Sequence, residues 1–463
     1  MTSPDRIPDF SGEEALFWRE HHDRVPEEPA AVARREDEST REVELRNNVK
    51  QALRDYRRFR DKPVASRQLE LIRSSFGEEE FDAALDVIMD DRMTMGARTA
   101  EFEGAWTRFL GAGGAVMVNS GSSANLLALA ALSSPDAPDG LRPGDEVIVP
   151  AVAWSTSVYP IVQMGCVPVF VDVHPETLNL DVDELARAIT PKTRAVMAIH
   201  LLGNPCEMGR ICDLARRHAL WVIEDCCEAH GARIADQVVG TFGHLSTFSF
   251  FYSHHMTTIE GGMVCFQDKA RWLDRLVSMR AHGWVRGRSD RDQWKARHTD
   301  IDDRWLFVAL GYNLRPTDIH AALGLAQLEK LPMFIRNRRS VRRRILGLLD
   351  GKSPWLRYQV ERPGHTHSAF GFSFLVDPKA PFTREAFQAY LEANRIQTRP
   401  IVGSNFARQP VMGTVPHRIH GTLPNADLVH YHGLMVGNHH DVTVSQAAYL
   451  AEVVLDFLDR YRG

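Results

Sequence analysis

Cysteine is scarce in this 463-residue chain and absent from its last third. Only Cys166, Cys206, Cys212, Cys226, Cys227 and Cys265 occur. No pair has C-x-x-C spacing, and the adjacent Cys226 and Cys227 diverge if they lie near a strand end, which speaks against a metal or disulfide role. Six free thiols in a reducing compartment are expected. Long apolar runs are missing too, which excludes a membrane-spanning helix. The opening "MTSPDRIPDF" lacks the basic-then-apolar layout of a secretory signal, so a cytoplasmic protein is expected. Charge is nearly balanced: the net value of -5 argues against nucleic acid or an anionic membrane as partner. No repeat of fixed period is present. Apolar and charged fractions of 44% and 25% are those of an ordinary globular protein.

The length suits two folded units and an appendage. Residues 1–68 form that appendage. In "VELRNNVKQALRDYRRF", Leu45, Val49, Leu53 and Tyr56 fall on one helical stripe, predicting a charged helix laid on the body or on a neighbouring subunit. From there to 337 short apolar runs ("GAVMVNS", "DEVIVPAVAW", "VPVFVDV", "AVMAIHLLG", "LWVIEDC") alternate with helical ones. Buried β-branched runs between helices predict an α/β fold with a mostly parallel sheet covered on both faces. Residues 313–349 read as a long helix broken near Pro332. Residues 338–463 read as a smaller C-terminal α/β domain.

Ligands of parallel sheets gather at the carboxyl ends of the strands, and four polar features fall there. In "VNSGSSANLLALAAL" a turn opens a helix; Gly121 permits close approach and Ser122 adds a hydroxyl, an anion cradle or simply a helix cap. Trp154 follows the next strand and can stack on a planar ring or fill the core. Asp225 ends the apolar strand of "LWVIEDCCEAHG", where a buried carboxylate needs a cationic partner: a protonated ring nitrogen, or an arginine. Glu228 is close enough in sequence to meet a ring hydroxyl. In "TFSFFYSHHMTTIEGGMV", Ser249 can bond a phosphate, His254 follows five residues later, and Gly261-Gly262 lets the chain return as a strand. The four in this order are far more specific than any one.

Together with "LGYNLRPTDIHAALGLAQLEKL", these motifs resemble the sugar aminotransferase and dehydratase group of pyridoxal-phosphate (PLP) enzymes, over roughly residues 70–455. The resemblance implies PLP fold type I, with a seven-stranded-type sheet in the large domain (69–337). It also implies PLP or pyridoxamine phosphate as cofactor. That group normally has Ser-Phe-x-x-x-Lys, the lysine tethering the cofactor; in this chain Ser249-Phe250-Phe251-Tyr252-Ser253 leads to His254 instead, as in the sugar 3-dehydratases. Imidazole has no primary amine to form the tether but still moves protons near neutral pH. The implied reaction is removal of the C3 hydroxyl from a GDP-linked 4-keto-6-deoxyhexose, with glutamate as donor and 2-oxoglutarate and ammonia released.

Carried over residue by residue, Gly121, Ser122 and Ser249 take the phosphate, Trp154 the ring face, Asp225 the ring nitrogen and Glu228 a ring oxygen. Asn313 reaches the phosphate in the partner's site, implying a homodimer with shared sites. His282 and Arg286 in "AHGWVRGR" and Arg315 in "YNLRP" are the substrate-binding candidates. A sister class adds an iron–sulfur cluster and needs a reductase. The absence of cysteine after Cys265 excludes that cluster, and no reductase partner is expected. The pairs His254–His255 and His439–His440 are not expected to bind metal. The stretch "DRDQWKARHTDIDDRWLF" (290–307) departs from the group and can change which nucleotide or nucleoside sugar is accepted; a non-catalytic, aminotransferase-like protein is the other alternative.

Overall fold

The computed structural model describes residues 29–60 and 67–461. The five apolar runs become β1 (Gly114–Val118), β2 (Glu146–Pro150), β3 (Val167–Val171), β4 (Thr193–Ile199) and β5 (Trp221–Asp225). A short hairpin follows, β6 (Arg233–Ile234) and β7 (Gln237–Val238), then β8 (Leu245–Ser249) and β9 (Gly262–Phe266). The C-terminal part contributes β10 (Leu356–Arg357), β11 (His365–Thr366), β12 (Gly371–Val376), β13 (Thr398–Arg399), β14 (Arg418–Ile419) and β15 (Gly433–Gly437).

The main sheet runs β1-β9-β8-β5-β4-β2-β3-β14, with β9 alone antiparallel to its neighbours. Seven strands come from the large domain, as expected; the eighth, β14, is lent by the C-terminal region. Arg418 fixes it there, donating from Nε and Nη2 to the two oxygens of Glu146 at 2.9 and 2.8 Å. Because all strands except β9 point one way, residues after β1, β2, β5 and β8 emerge on one edge. That edge carries the four strand-end motifs singled out above.

Helices cover both faces, and strand residues such as Val147, Ile148, Met197 and Ile223 are fully buried between them. A second sheet, β10-β12-β15-β13, packs under helices Arg384–Ala393 and Val444–Asp459 with its own core of Phe372, Phe374, Phe387 and Leu450. Leu69 belongs to that second core, exchanging backbone bonds with Arg395 and Gln397.

One expectation needs correction. The helix Asp318–Leu349 is not broken at Pro332. Proline there removes one N–H, to the Leu328 carbonyl, while Leu331, Phe334 and Ile335 around it are buried and hold the helix through. We propose a domain division near 337, since Leu328, Leu331 and Ile335 pack with Phe102 and Trp106 whereas Val341, Ile345 and Leu349 join the C-terminal core.

Helix Pro29–Arg60 lies on the body, one of its two expected places. Within this chain Leu45, Val49 and Tyr56 are exposed and Leu53 is half-buried. The helix docks through charge. Arg46, Lys50, Arg54 and Arg58 pair in turn with Asp90, Asp86, Asp82 and Glu78, the acidic side of helix Glu78–Met89. Residues one turn apart share a face, so two helices meet along a ladder of ion pairs.

One carboxylate ties the long helix to the large domain. Asp318 accepts from the amides of Gly96, Arg98 and Thr99 at 2.8, 3.1 and 3.0 Å and from the Thr99 hydroxyl at 2.7 Å, capping helix Ala97–Leu110 from outside. Removing it strands three N–H groups at a helix N-terminus. Asp318→Ala is expected to lower unfolding free energy by about 3 kcal/mol, and Asp318→Asn by less, measured by urea denaturation; equal losses would show that the carboxylate charge contributes nothing.

Candidate active site

The phosphate-cradle candidate forms where β1 turns into helix Gly121–Leu132. Ser120 caps that helix, its hydroxyl accepting the Ser123 amide at 3.0 Å. Ser122, exposed at the helix start, donates to Thr156 Oγ1 at 2.9 Å, joining the cradle to the helix that Trp154 caps. Close approach explains the glycines. A Cβ on Gly121 would lie 2.4 Å from Ser249 Cβ, and one on Gly262 2.3 Å from the Ser120 carbonyl oxygen. The backbone of the cradle therefore abuts Ser249 and the returning strand with no room for side chains, at a helix N-terminus of the kind that suits an anion.

Trp154 is 56% exposed, so the core role is excluded and its ring is open to a ligand. Asp225, at the end of β5, is 5% exposed. Its Oδ2 accepts from Asn125 Nδ2 at 2.9 Å and Ser157 Oγ at 2.7 Å; its Oδ1 accepts the Cys227 amide at 3.1 Å. Asn125 is oriented in turn by Thr247, whose hydroxyl donates to Asn125 Oδ1 at 2.6 Å. Every one of these donors is neutral, and no Arg or Lys pairs with Asp225 among the described residues. A buried carboxylate held by neutral donors still lacks its counter-charge, and a protonated pyridine nitrogen supplies one.

Glu228 accepts the Leu202 amide at 2.7 Å; burial pushes its carboxyl up to about 7, against that bond and with help from the Asp225 charge. His254 lies within electrostatic reach of Asp225. Burial pushes its imidazole down to about 4, opposed by Asp225 and reinforced by the Arg338 guanidinium. The ring is therefore neutral at neutral pH, and its buried Nδ1 has no partner. Arg338 holds the turn from below, donating to the carbonyls of Phe370, Asn438 and His254 at 3.0, 2.7 and 3.3 Å. His255 points elsewhere, with Nε2 on the Ser368 carbonyl at 3.0 Å and Nδ1 against His230 Nδ1 at 3.3 Å. Both of its nitrogens are engaged, so the histidine pair does not converge on a common ligand.

A buried trio elsewhere, His200, Glu224 and Cys226, has metal-ligand chemistry but is already satisfied. Glu224 accepts amides of Gly240, Phe242 and Gly243, and His200 takes the Cys206 amide on Nδ1 while its Nε2 faces Glu224.

The remaining candidates lie on a ribbon formed by 281–285 and 306–313. Ala281 bridges Asn313, Trp284 bridges Phe307, and the Leu314 carbonyl accepts the Asn119 amide beside the cradle at 3.0 Å. Asn313 accepts from Arg315 Nε at 3.0 Å, and both are exposed. His282 sits at φ 63° with its ring 4.7 Å from Trp284, and Arg286 covers the same indole at 4.7 Å. The structure therefore gathers Gly121, Ser122, Trp154, Asp225, Glu228, Ser249 and His254 on one sheet edge and puts His282, Arg286, Asn313 and Arg315 on an adjoining ribbon. Asn125, Ser157, Ser120 and Arg338 escaped the sequence reading. Only the polar Asn125 inside the apolar run "ANLLALAAL" could have signalled itself.

Residues 74–455 match the DegT/DnrJ/EryC1/StrS aminotransferase family, and the chain belongs to it. The protein is accordingly of PLP fold type I. It is similar to the GDP-4-keto-6-deoxy-D-mannose 3-dehydratase of Yersinia pseudotuberculosis, 39% identical over 373 residues, 80% of this chain and 93% of that one. It is 36% identical over 428 residues to the dTDP-4-dehydro-2,6-dideoxy-D-glucose 3-dehydratase of Saccharopolyspora spinosa, 90% of this chain and 92% of that one. A crystal structure of GDP-4-keto-6-deoxymannose-3-dehydratase with a trapped PLP–glutamate geminal diamine superposes with a TM-score of 0.78 at 35% identity, over 84% of this chain and all of that one.

Glu228 is neutral below pH 7 and charged above it. Infrared difference spectra should lose a carboxylic C=O band as pH rises from 6 to 8, and Glu228→Gln should lack that change; its persistence in the variant would assign the band to another group.

Proposed function

We propose that this protein is a PLP-dependent 3-dehydratase of a nucleotide-linked 4-keto-6-deoxyhexose, taking its amino group from glutamate and releasing 2-oxoglutarate and ammonia. The observation that carries the reading is a neutral imidazole, His254, where the family tethers its cofactor, next to a buried carboxylate, Asp225, that still lacks a counter-charge.

When bound, PLP supplies an electron sink for carbons joined to it through nitrogen. This chain's residues do the rest. Gly121, Ser122 and Ser249 hold the phosphate, with Asn313 reaching in from the partner subunit of a homodimer. Trp154 covers the ring, Asp225 keeps the ring nitrogen protonated, and Glu228 bonds a ring oxygen. His254, neutral at working pH, accepts a proton from the α-carbon of glutamate and in the second half-reaction delivers one to the departing C3 oxygen of the sugar. His282, Arg286 and Arg315 orient the carboxylates and the substrate. Lacking a primary amine, the site cannot recover its cofactor by covalent exchange. The nitrogen therefore leaves as ammonia while the sugar loses oxygen. Atoms balance: keto sugar plus glutamate gives 3-deoxy keto sugar, 2-oxoglutarate and ammonia. We place the enzyme in the cytoplasm, where glutamate and nucleotide sugars meet.

A dTDP-linked substrate is the second reading, favoured by the longer alignment with the Saccharopolyspora protein. A panel of GDP- and dTDP-linked 4-keto-6-deoxyhexoses, assayed for ammonia and 2-oxoglutarate in equal amounts, separates the two. His254→Lys is expected to cut dehydration at least 100-fold and to hold PLP through dialysis. Dehydration by the lysine variant at close to the parent rate would defeat the reading.

A further inference from the structure

The stretch 290–307 has no part in the cofactor site, yet it presents a built surface. Trp305 is 61% and Phe307 51% exposed, both beside Trp284 at ring-centre distances of 6.2 and 5.9 Å, with Phe307 stacked on it. Arg286 lies over Trp284 at 4.7 Å and near Trp305 at 5.8 Å, and Arg315 reaches Trp284 at 5.9 Å. Apart from one bond each, to the Arg304 carbonyl and to Asn313, these two guanidiniums are unengaged; no carboxylate pairs with either among the described residues. The Trp284 Nε1 donor is buried without a partner. Open aromatic faces interleaved with unpaired cations are a surface for a molecule carrying both a flat ring and negative charge.

The platform is also rigid and aligned. Val285 N–H meets the Leu306 carbonyl and Val308 N–H the Gly283 carbonyl; the Arg291–Asp303 pair at 3.0 Å braces the loop behind. Along this ribbon Asn313 sits at the cradle end and Phe307 at the far end. Five residues lie between them, a span of about 20 Å of extended chain at most. Arg286 and Arg315 both lie over the Trp284 indole, so the guanidiniums and the exposed rings make one continuous patch.

We propose that Trp305 and Phe307 form the stacking platform for the nucleobase of the substrate, with Arg286 and Arg315 taking its diphosphate. This rests on the nucleotide-sugar reading above. Because stacking tolerates any base, the platform provides affinity, while discrimination between bases falls to other contacts.

The test uses PLP-loaded full-length protein and two probes, GDP and dTDP, with dissociation constants from calorimetry. Trp305→Ala should weaken whichever nucleotide binds by roughly 5- to 150-fold, the range for losing one base–aromatic stack. Trp305→Phe should restore binding to within about threefold. The glutamate half-reaction, followed by cofactor absorbance, should persist in both. If Trp305→Ala changes the sedimentation behaviour or the fold, Phe307→Leu is expected to reproduce a smaller loss. Unchanged nucleotide affinity in both variants, or a loss that simply tracks subunit dissociation, overturns the platform. A parent protein that performs the glutamate half-reaction but binds neither nucleotide overturns the nucleotide-sugar reading instead.

Discussion

A carboxylate buried at the end of a parallel strand is the constraint on which this site turns. Asp225 is held by an amide, a hydroxyl and a backbone N–H, which orient it without neutralising it. Charge in that position is costly until a cation arrives. The same field acts on His254, favouring a proton there while burial disfavours it, and burial wins. A neutral base beside an unpaired acid suits a cofactor whose ring nitrogen is positive and whose attached carbons must be deprotonated.

The fold makes that arrangement affordable. One-way strands deliver Asn119, Trp154, Asp225 and Ser249 to a common edge, and the antiparallel β9 closes the loop that carries His254. Gly121 lets the cradle press against Ser249, and Gly262 lets the returning strand meet the Ser120 backbone. Arg338, from the long helix, fastens the histidine turn to the C-terminal part through three carbonyls. His254 is thus gripped by both halves of the molecule.

Most of this was legible in the chain itself. β-Branched runs marked β1 to β5, and the strand-end motifs marked the site, because buried parallel strands leave little choice of residue. What stayed hidden has physical causes. Asn125 and Ser157 lie in runs whose apolar pattern dominates, so their role emerges only when helix and strand are brought together. The contacts of helix Pro29–Arg60 with the body come from a ladder of ion pairs, which hydrophobic periodicity does not reveal. β14 is two residues long and pairs with β3, a strand more than two hundred residues earlier in sequence. Pro332 reads locally as a break, yet buried neighbours on both sides carry the helix past it.

The central claim is that this site holds its cofactor without a covalent tether. Borohydride treatment of the PLP-loaded protein, followed by mass spectrometry of the denatured chain, examines it directly. The account predicts the unmodified mass of the polypeptide with all cofactor released. A phosphopyridoxyl adduct fixed in stoichiometric yield to any lysine would contradict it.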